Sequence, residues 1–202
     1  NTDSGSEYVF KSSGGVQKEF VSISGGDYYV PQTIENGQIT NQNLHQLRDI
    51  DYLIVTADYL MSEAERLAAH HREQSGFTVA VIDQQEIYNE FGSGSPDLTA
   101  IRDFVRYLYL NASNSQTRIR YLCLFGDASF DFKDRINDNN NVVSAFQSYE
   151  SFNLVTSYVT DDYFGMMDES EGDLGTADLQ DVAVGRYPVT TLAEARNSID
   201  KT

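Results

Sequence analysis

The chain has 202 residues, of which 31 are acidic and 14 basic, so its formal net charge is −17 at pH 7. Nucleic acids and anionic membrane surfaces bind clusters of Lys and Arg, and this charge argues against both as partners. No apolar run approaches the ~20 residues that a membrane-spanning helix requires, and the single cysteine, Cys123, excludes an internal disulfide bond.

The first 48 residues differ in composition from the rest of the chain. They are rich in Gly, Ser, Asn and aromatic residues, with alternating apolar and polar stretches at 7–10 and 19–23. Glycine pairs at 14–15 and 25–26 interrupt these stretches. Alternation bounded by glycine is typical of short strands joined by turns, so residues 1–48 are predicted to form a β-rich lead-in segment.

Compact apolar runs alternate with longer amphipathic stretches in residues 49–202. The runs are rich in β-branched residues and predict strands that are buried on both faces. The three clearest predicted strands lie at 52–56, 77–82 and 119–125. Two further strands are predicted near 155–159 and 181–184.

The predicted helices carry recognisable start signals. Ser62 with Glu65, and Thr191 with Glu194, have the spacing of a capping box. Asp97 is predicted to cap a longer helix whose apolar side chains recur on one face. These signals place helices between the predicted strands and after the last of them.

Strands that alternate with helices predict an α/β domain over residues 49–202. Its sheet would be a parallel, Rossmann-like or flavodoxin-like layer with helices on both faces. Ligands of such sheets bind beyond the carboxyl ends of the strands. At the predicted strand ends the sequence has Asp58, Asp83, Asp127 and Arg186.

The cysteine and the histidines do not suggest a catalytic pair. Cys123 lies between two leucines inside a predicted strand, whereas nucleophilic cysteines lie where the thiolate is stabilised and accessible. A packing role is therefore favoured for Cys123. His70 and His71 are adjacent and cannot share a metal ion as an i, i+4 pair does, and the spacing suggests no catalytic partner for His45.

Acidic residues concentrate before the last predicted strand. Asp161 and Asp162 are followed by the cluster at 168–173 and by Asp178 and Asp181. Calcium takes six to eight oxygen ligands from carboxylates and loop carbonyls, and such a loop can supply them, although the spacing does not match an EF-hand. A solvated acidic loop explains the same pattern, so both interpretations stand.

Several segments carry a resemblance to a known family. They lie within 41–56, 85–104, 121–129, 158–165 and 184–189, and the last two contain the motifs Thr-Asp-Asp-Tyr-Phe-Gly and Val-Gly-Arg-Tyr-Pro. Together they make residues 41–202 similar to the gingipain family of cysteine peptidases. Within that family, the chain most resembles the sortases of the type IX secretion system.

The resemblance is to the first of two subdomains in the family's peptidase domain. The second, caspase-like subdomain carries the catalytic His and Cys, so the resemblance implies no catalytic residue in this chain. Residues 49–202 are therefore interpreted as the non-catalytic amino-terminal subdomain, without peptidase activity by itself. The last residues lie in a helical pattern without a cap, which is expected of a piece of a longer protein.

The resemblance implies a function for that longer protein. It would remove C-terminal sorting signals from secreted cargo and attach the cargo to surface lipopolysaccharide, through thiolate attack on a peptide carbonyl. The implied partners are the downstream catalytic subdomain, cargo with C-terminal signals and outer-membrane secretion components. The implied location is the extracellular face of the outer membrane, and hydrolysis without transfer stays open as an alternative.

The resemblance also implies calcium as a cofactor. Asp127 and Asp181 are comparable to ligand positions of gingipains, and Asp168 or Asp178 would join them. These four aspartates are the predicted metal ligands of the chain.

Two functions of other classes stay open at the level of sequence. A receiver-like signalling domain would use Asp127 as its phospho-acceptor, but it needs an acidic pair after the first strand and a Lys after a later one. Here Asp58 supplies only one acidic residue after the first strand. After the later strand the sequence has Arg186 and lacks the required Lys. A calcium-dependent surface-binding module without an enzymatic parent is the other function.

Overall fold

The computed structural model describes residues 10–15, 17–30, 39–149, 152–153, 155–175 and 178–202. The chain divides into two units, residues 1–40 and 41–202. In the first unit the described residues form no helix or strand. The strand predicted at 19–23 is not formed: its apolar side chains, such as Phe20 and Ile23, are exposed, and no other described segment of this unit pairs with it as a strand. Most of the stretch at 7–10 lies outside the described residues.

The second unit begins at residue 41, earlier than the boundary predicted at residue 48. Leu44 is buried in the core of this unit. The Glu90 carboxylate accepts hydrogen bonds from the Leu44 N–H, at 2.7 Å, and from the Gln42 side chain, at 2.9 Å. These contacts attach the segment before the first strand to the helix that contains Glu90.

The second unit is built on a four-stranded parallel sheet in the order β2-β1-β3-β6. Its strands are β1 Tyr52–Thr56, β2 Val79–Asp83, β3 Tyr121–Phe125 and β6 Ala183–Tyr187. Tyr52 pairs with Val79 and Tyr121, and Tyr121 pairs with Ala183, so the four strands begin at the same level of the sheet. Their carboxyl ends therefore meet at one edge of the sheet, and the predicted α/β class is confirmed.

Within the described residues, four α-helices accompany the sheet. They are α1 Met61–Gln74, α2 Gln84–Phe91, α3 Leu98–Leu110 and α4 Leu192–Ile199. Helix α1 contacts β1, β2 and α4, whereas α2 and α3 contact each other. Because crossovers between parallel strands are right-handed, the connection from β1 to β2 and the return from β2 to β3 lie on opposite faces of the sheet.

The helix starts confirm two of the three predicted caps. The Asp97 carboxylate accepts a hydrogen bond from the Thr99 N–H at 2.8 Å, and Thr191 with Glu194 forms a complete capping box. The predicted cap at Ser62 is wrong, because α1 begins at Met61 and has no side-chain cap. A 3-10 turn immediately before it, Asp58–Leu60, leads directly into the helix.

A small antiparallel sheet forms in the long connection between β3 and β6. It consists of β4 Phe146–Gln147 and β5 Val159–Thr160. The strand predicted near 155–159 is therefore shorter and lies later in the chain. Within the described part of the chain, no helix is long and apolar enough to cross a membrane.

Candidate functional site

Cys123 lies in the middle of β3, and its side chain is 2% exposed. Burial raises the pKa of its thiol to about 12, and the hydrogen bond from the Tyr52 hydroxyl offsets only part of this effect. A nucleophilic cysteine requires a lowered pKa and an accessible sulfur. Cys123 has neither property, as expected for a cysteine that fills space in a core.

None of the three histidines is placed to activate Cys123. The His71 ring packs against Tyr52, at 4.5 Å between ring centroids, and the side chain that hydrogen-bonds the Cys123 thiol is that of Tyr52. His45 contacts the Glu90 carboxylate at 2.5 Å, and His70 is exposed on α1. The described residues therefore contain no cysteine–histidine pair of the kind that cysteine peptidases use.

A groove of about 300 Å³ lies over β3 and β6 on the face of the sheet that carries Cys123. Its lining includes Tyr52, Cys123, Gly185 and Tyr187. A Cβ atom added at Gly185 would meet no atom within 4 Å. Parallel sheets are normally covered on both faces, but among the described residues none packs over this part of the sheet at Gly185.

Arg186 joins the two sequence motifs that carry most of the family resemblance. Its guanidinium donates to both carboxylate oxygens of Asp161, at 2.7 and 2.8 Å, and to the carbonyl oxygens of Gly126 and Val143, at 2.7 and 2.6 Å. The Arg186 side chain is only 13% exposed. A bidentate pair of this kind fixes orientation as well as position, so Arg186 holds the loop after β3 and the segment after β5 against the sheet.

Sequence reasoning did not find the pairing of Arg186 with Asp161. Both residues were noted, the first at a strand end and the second in an acidic stretch, but they are 25 positions apart. No periodic pattern links them. The one available signal was that each lies in a motif of the same family resemblance.

The acidic residues before β6 are used largely as acceptors for the backbone of their own loop. Asp178 accepts hydrogen bonds from the N–H groups of Gly172 and Gly175, at 3.1 and 3.2 Å. Asp181 accepts from the Tyr109 hydroxyl and from the Met167 N–H, both at 3.1 Å. Asp168 is exposed, and its N–H donates to the carboxylate of Glu171 at 3.0 Å. The loop is thus organised by its own carboxylates.

Asp127 does not lie with the other three predicted ligands. It directly follows the carboxyl end of β3, whereas Asp181 precedes the amino end of the neighbouring β6. The intervening five-residue strand is roughly 16 Å long, and calcium ligands lie within about 2.6 Å of the ion. One ion therefore cannot bind both Asp127 and Asp181, and the four aspartates divide between opposite edges of the sheet.

The described residues do not form a ready-made metal site. Within them, no three His, Cys, Asp or Glu side chains are grouped so that they could hold a metal ion. Asp127 accepts hydrogen bonds from the Ala128 N–H, at 2.9 Å, and from the Asn140 side chain. Calcium would have to replace such hydrogen bonds, so the ligand set expected from the family resemblance is not assembled here.

The four-stranded parallel sheet with its flanking helices defines a class of fold, an α/β layer whose one cysteine, Cys123, is buried within it. A sequence profile of peptidase family C25, the gingipain family, matches residues 45–202. The chain belongs to this family, and the predicted family is confirmed.

Among solved structures, the chain is similar to dimeric latent PorU from Porphyromonas gingivalis. The identity is 36% and the TM-score 0.67, over 81% of this chain and 16% of the PorU chain. The chain thus spans less than a fifth of the length of that relative. None of the curated proteins compared with the chain matches it significantly.

These matches bear on the alternatives that the sequence left open. The match to a peptidase family covers the parallel sheet, which favours the peptidase interpretation over a receiver-like signalling domain. It equally favours an enzymatic parent over a binding module without one. The chain is part of a gingipain-type cysteine peptidase domain.

Proposed function

We propose that this chain is the non-catalytic amino-terminal subdomain of a surface-exposed sortase of the PorU type. In this proposal the whole protein removes C-terminal sorting signals from secreted cargo and attaches the cargo to lipopolysaccharide at the outer membrane. The observation that carries it is the state of Cys123: in a family of cysteine peptidases, the cysteine of this chain is buried and its thiol pKa is raised to about 12. The nucleophile must then belong to another part of the protein.

The groove over β3 and β6 supports a second part of the proposal, that the catalytic subdomain docks on this face. Ala183 and Gly185 are exposed although they lie in a strand of a parallel sheet. The hydroxyl of Thr202 lies 3.5 Å from that of Tyr187, which lines the groove. In a longer protein, the polypeptide after residue 202 would begin beside the face that it is proposed to cover.

The proposal that the catalytic nucleophile lies outside this chain is tested with a longer form of the protein. This form includes about 200 further residues, the size of one domain. Cleavage of a cargo C-terminal signal peptide is measured for both forms, with and without Cys123→Ala. We expect the longer form to be active with either residue at position 123, and the 202-residue chain to be inactive. Cleavage by the short chain that Cys123→Ala abolishes would overturn the proposal.

Docking on the groove is tested with Gly185→Phe. No atom lies within 4 Å of a Cβ added at this position, so the variant should leave the stability of the short chain nearly unchanged. In the longer form the added ring would occupy the proposed interface, and we expect cleavage to fall. Ala69→Phe, which adds the same ring to the exposed side of α1, is the matched control. Equal activity of both variants would contradict docking at this face.

A further inference from the structure

Two adjoining cavities lie at the carboxyl edge of the parallel sheet, away from the groove over β3 and β6. The first has a volume of about 310 Å³ and the second about 380 Å³. Phe132 belongs to the lining of both cavities. Ligands of parallel sheets bind at this edge, and nothing in the proposed function uses it.

The first cavity is walled by aromatic rings. Phe146 and Tyr163 are stacked, with ring centroids 4.7 Å apart, and Tyr149 meets Phe146 edge-on at 6.1 Å. Tyr149 is 87% exposed and Phe132 51% exposed. Accessible aromatic surface of this kind is unfavourable in water and favours contact with another ring or a large apolar side chain.

The second cavity collects negative charge. Asp58 follows β1 and Asp83 ends β2, and both line it. The pKa of Asp83 is raised, first by burial and also by the charge of Asp58. Among the described residues that line the first cavity, Asp97 alone is charged. Neither lining contains a Lys or an Arg, although Lys133 lies 5.5 Å from the centroid of the Phe132 ring and Arg102 lies 5.2 Å from that of Tyr163. The pair Asp58 and Asp83 is therefore the part of this edge that is complementary to a positively charged group.

We propose that this edge binds an extended peptide segment in which an aromatic side chain and a Lys or Arg lie two positions apart. The aromatic side chain fills the cavity of Phe146 and Tyr163, and the cation fills the cavity of Asp58 and Asp83. Alternate side chains of an extended chain point the same way and lie roughly 7 Å apart. Because Phe132 lines both cavities, two alternate side chains of one short extended segment can enter them together.

The proposal concerns a peptide partner and does not depend on where the catalytic cysteine lies. It is tested by titrating the full chain with fluorescently labelled, end-blocked peptides that contain Phe-Ser-Lys, Phe-Ser-Glu or Ser-Ser-Lys. We expect Phe-Ser-Lys to bind about tenfold more tightly than either of the others, since each loses one of the two contacts. Added salt should weaken the binding of Phe-Ser-Lys.

The matched variants separate binding from folding. Asp83 also caps α2 by accepting from the Gln85 N–H at 3.2 Å, and asparagine is an equally good cap. Asp83→Asn should therefore fold normally, as checked by circular dichroism, yet lose most of the preference for Lys over Glu. Phe132→Ala should lose the preference for Phe over Ser. Glu73→Gln removes one exposed charge near the end of α1 and should bind like the unmodified chain.

Three outcomes would overturn the proposal. The first is equal affinity for the three peptides. The second is unchanged discrimination in Asp83→Asn and in Asp58→Asn, which serves as a second variant. The third is competition by free lysine as strong as by the Phe-Ser-Lys peptide, because that would indicate a small-cation site without a peptide contact. Failure of the sortase proposal would leave each of these results unaffected.

Discussion

At the scale of single residues, the Arg186 guanidinium bonds several segments at once. It donates to Asp161 and to the backbone carbonyls of Gly126, Val143 and Ser144 while largely buried. We expect Arg186→Lys to lower the free energy of unfolding by roughly 1–3 kcal/mol, because an ammonium keeps the charge but cannot reach all of these acceptors. Urea denaturation measures the change.

Arg72→Lys is the control for Arg186→Lys. Arg72 also bonds a carboxylate and a carbonyl, at 3.0 and 2.8 Å, but its side chain is 41% exposed. An exposed ion pair contributes about 1 kcal/mol or less, so this variant should cost less than Arg186→Lys. If the two variants were equally stable, the buried hydrogen bonds of Arg186 would contribute no more to the free energy of unfolding than the exposed ones of Arg72.

His71 predicts a pH dependence of stability. Its Nδ1 is buried without a hydrogen-bond partner in the described part of the chain, and its pKa is lowered, first by burial and then by the charge of His70. The unfolded state therefore takes up a proton at a higher pH than the folded state does. It follows that the free energy of unfolding falls as the pH drops below about 6.5.

The His71 effect is isolated by comparing variants at about pH 7.5 and pH 5.5. His71→Phe keeps a ring against Tyr52 and should lose less stability over this range than the unmodified chain. His70→Gln removes an exposed imidazole and should change the pH dependence less. Identical pH profiles for His71→Phe and the unmodified chain would show that the pKa of His71 is the same in the folded and unfolded states.

At the scale of elements, the helix starts show where sequence signals are reliable. The Thr191 hydroxyl accepts from the Glu194 N–H at 3.2 Å, and the Glu194 carboxylate accepts from the Thr191 N–H at 3.1 Å. Thr191→Ala is expected to lower the free energy of unfolding by about 1 kcal/mol. Thr191→Ser should retain most of the stabilisation that the cap provides. Thermal denaturation of both variants checks this expectation.

Ser62 provides the matching negative test. The sequence spacing with Glu65 is that of a cap, but Ser62 lies inside α1 and is exposed. Ser62→Ala should therefore leave stability unchanged or raise it slightly, because alanine has the higher helix propensity. A loss as large as that of Thr191→Ala would mean that Ser62 caps the helix after all. The spacing misled because the preceding 3-10 turn starts the helix one turn early.

At the scale of the whole molecule, calcium binding stays a prediction. The acidic loop around Asp178 and Asp181 is the better candidate, because several carboxylates lie on it, whereas Asp127 is separated from them by the length of a strand. We expect millimolar calcium to raise the melting temperature, since an ion that binds only the folded state stabilises it.

The two ends of the sheet can be tested separately for calcium. Asp178→Asn should reduce the calcium-dependent shift in melting temperature, and Asp127→Asn should retain it. The shift, rather than the melting temperature itself, is compared, because both aspartates also accept hydrogen bonds from their own loops. An unchanged melting temperature of the unmodified chain with and without calcium would argue against any site.

Sequence alone determined the class of fold, the family and the packing role of Cys123. Buried parallel strands require continuous apolar runs, as in β1 and β3, and a cysteine inside such a run is buried with it. These properties are local, because they follow from residues that are neighbours in the chain. The cap at Asp97 was predictable for the same reason.

Only the tertiary structure decided which distant residues meet. The bond from Arg186 to Asp161, the separation of Asp127 from Asp181 and the exposed face at Gly185 depend on strand order. Strand order is set by the packing of whole elements, and no pattern within one segment encodes it. The strand expected at 19–23 was missing for the related reason that a strand needs a partner, which local alternation cannot supply.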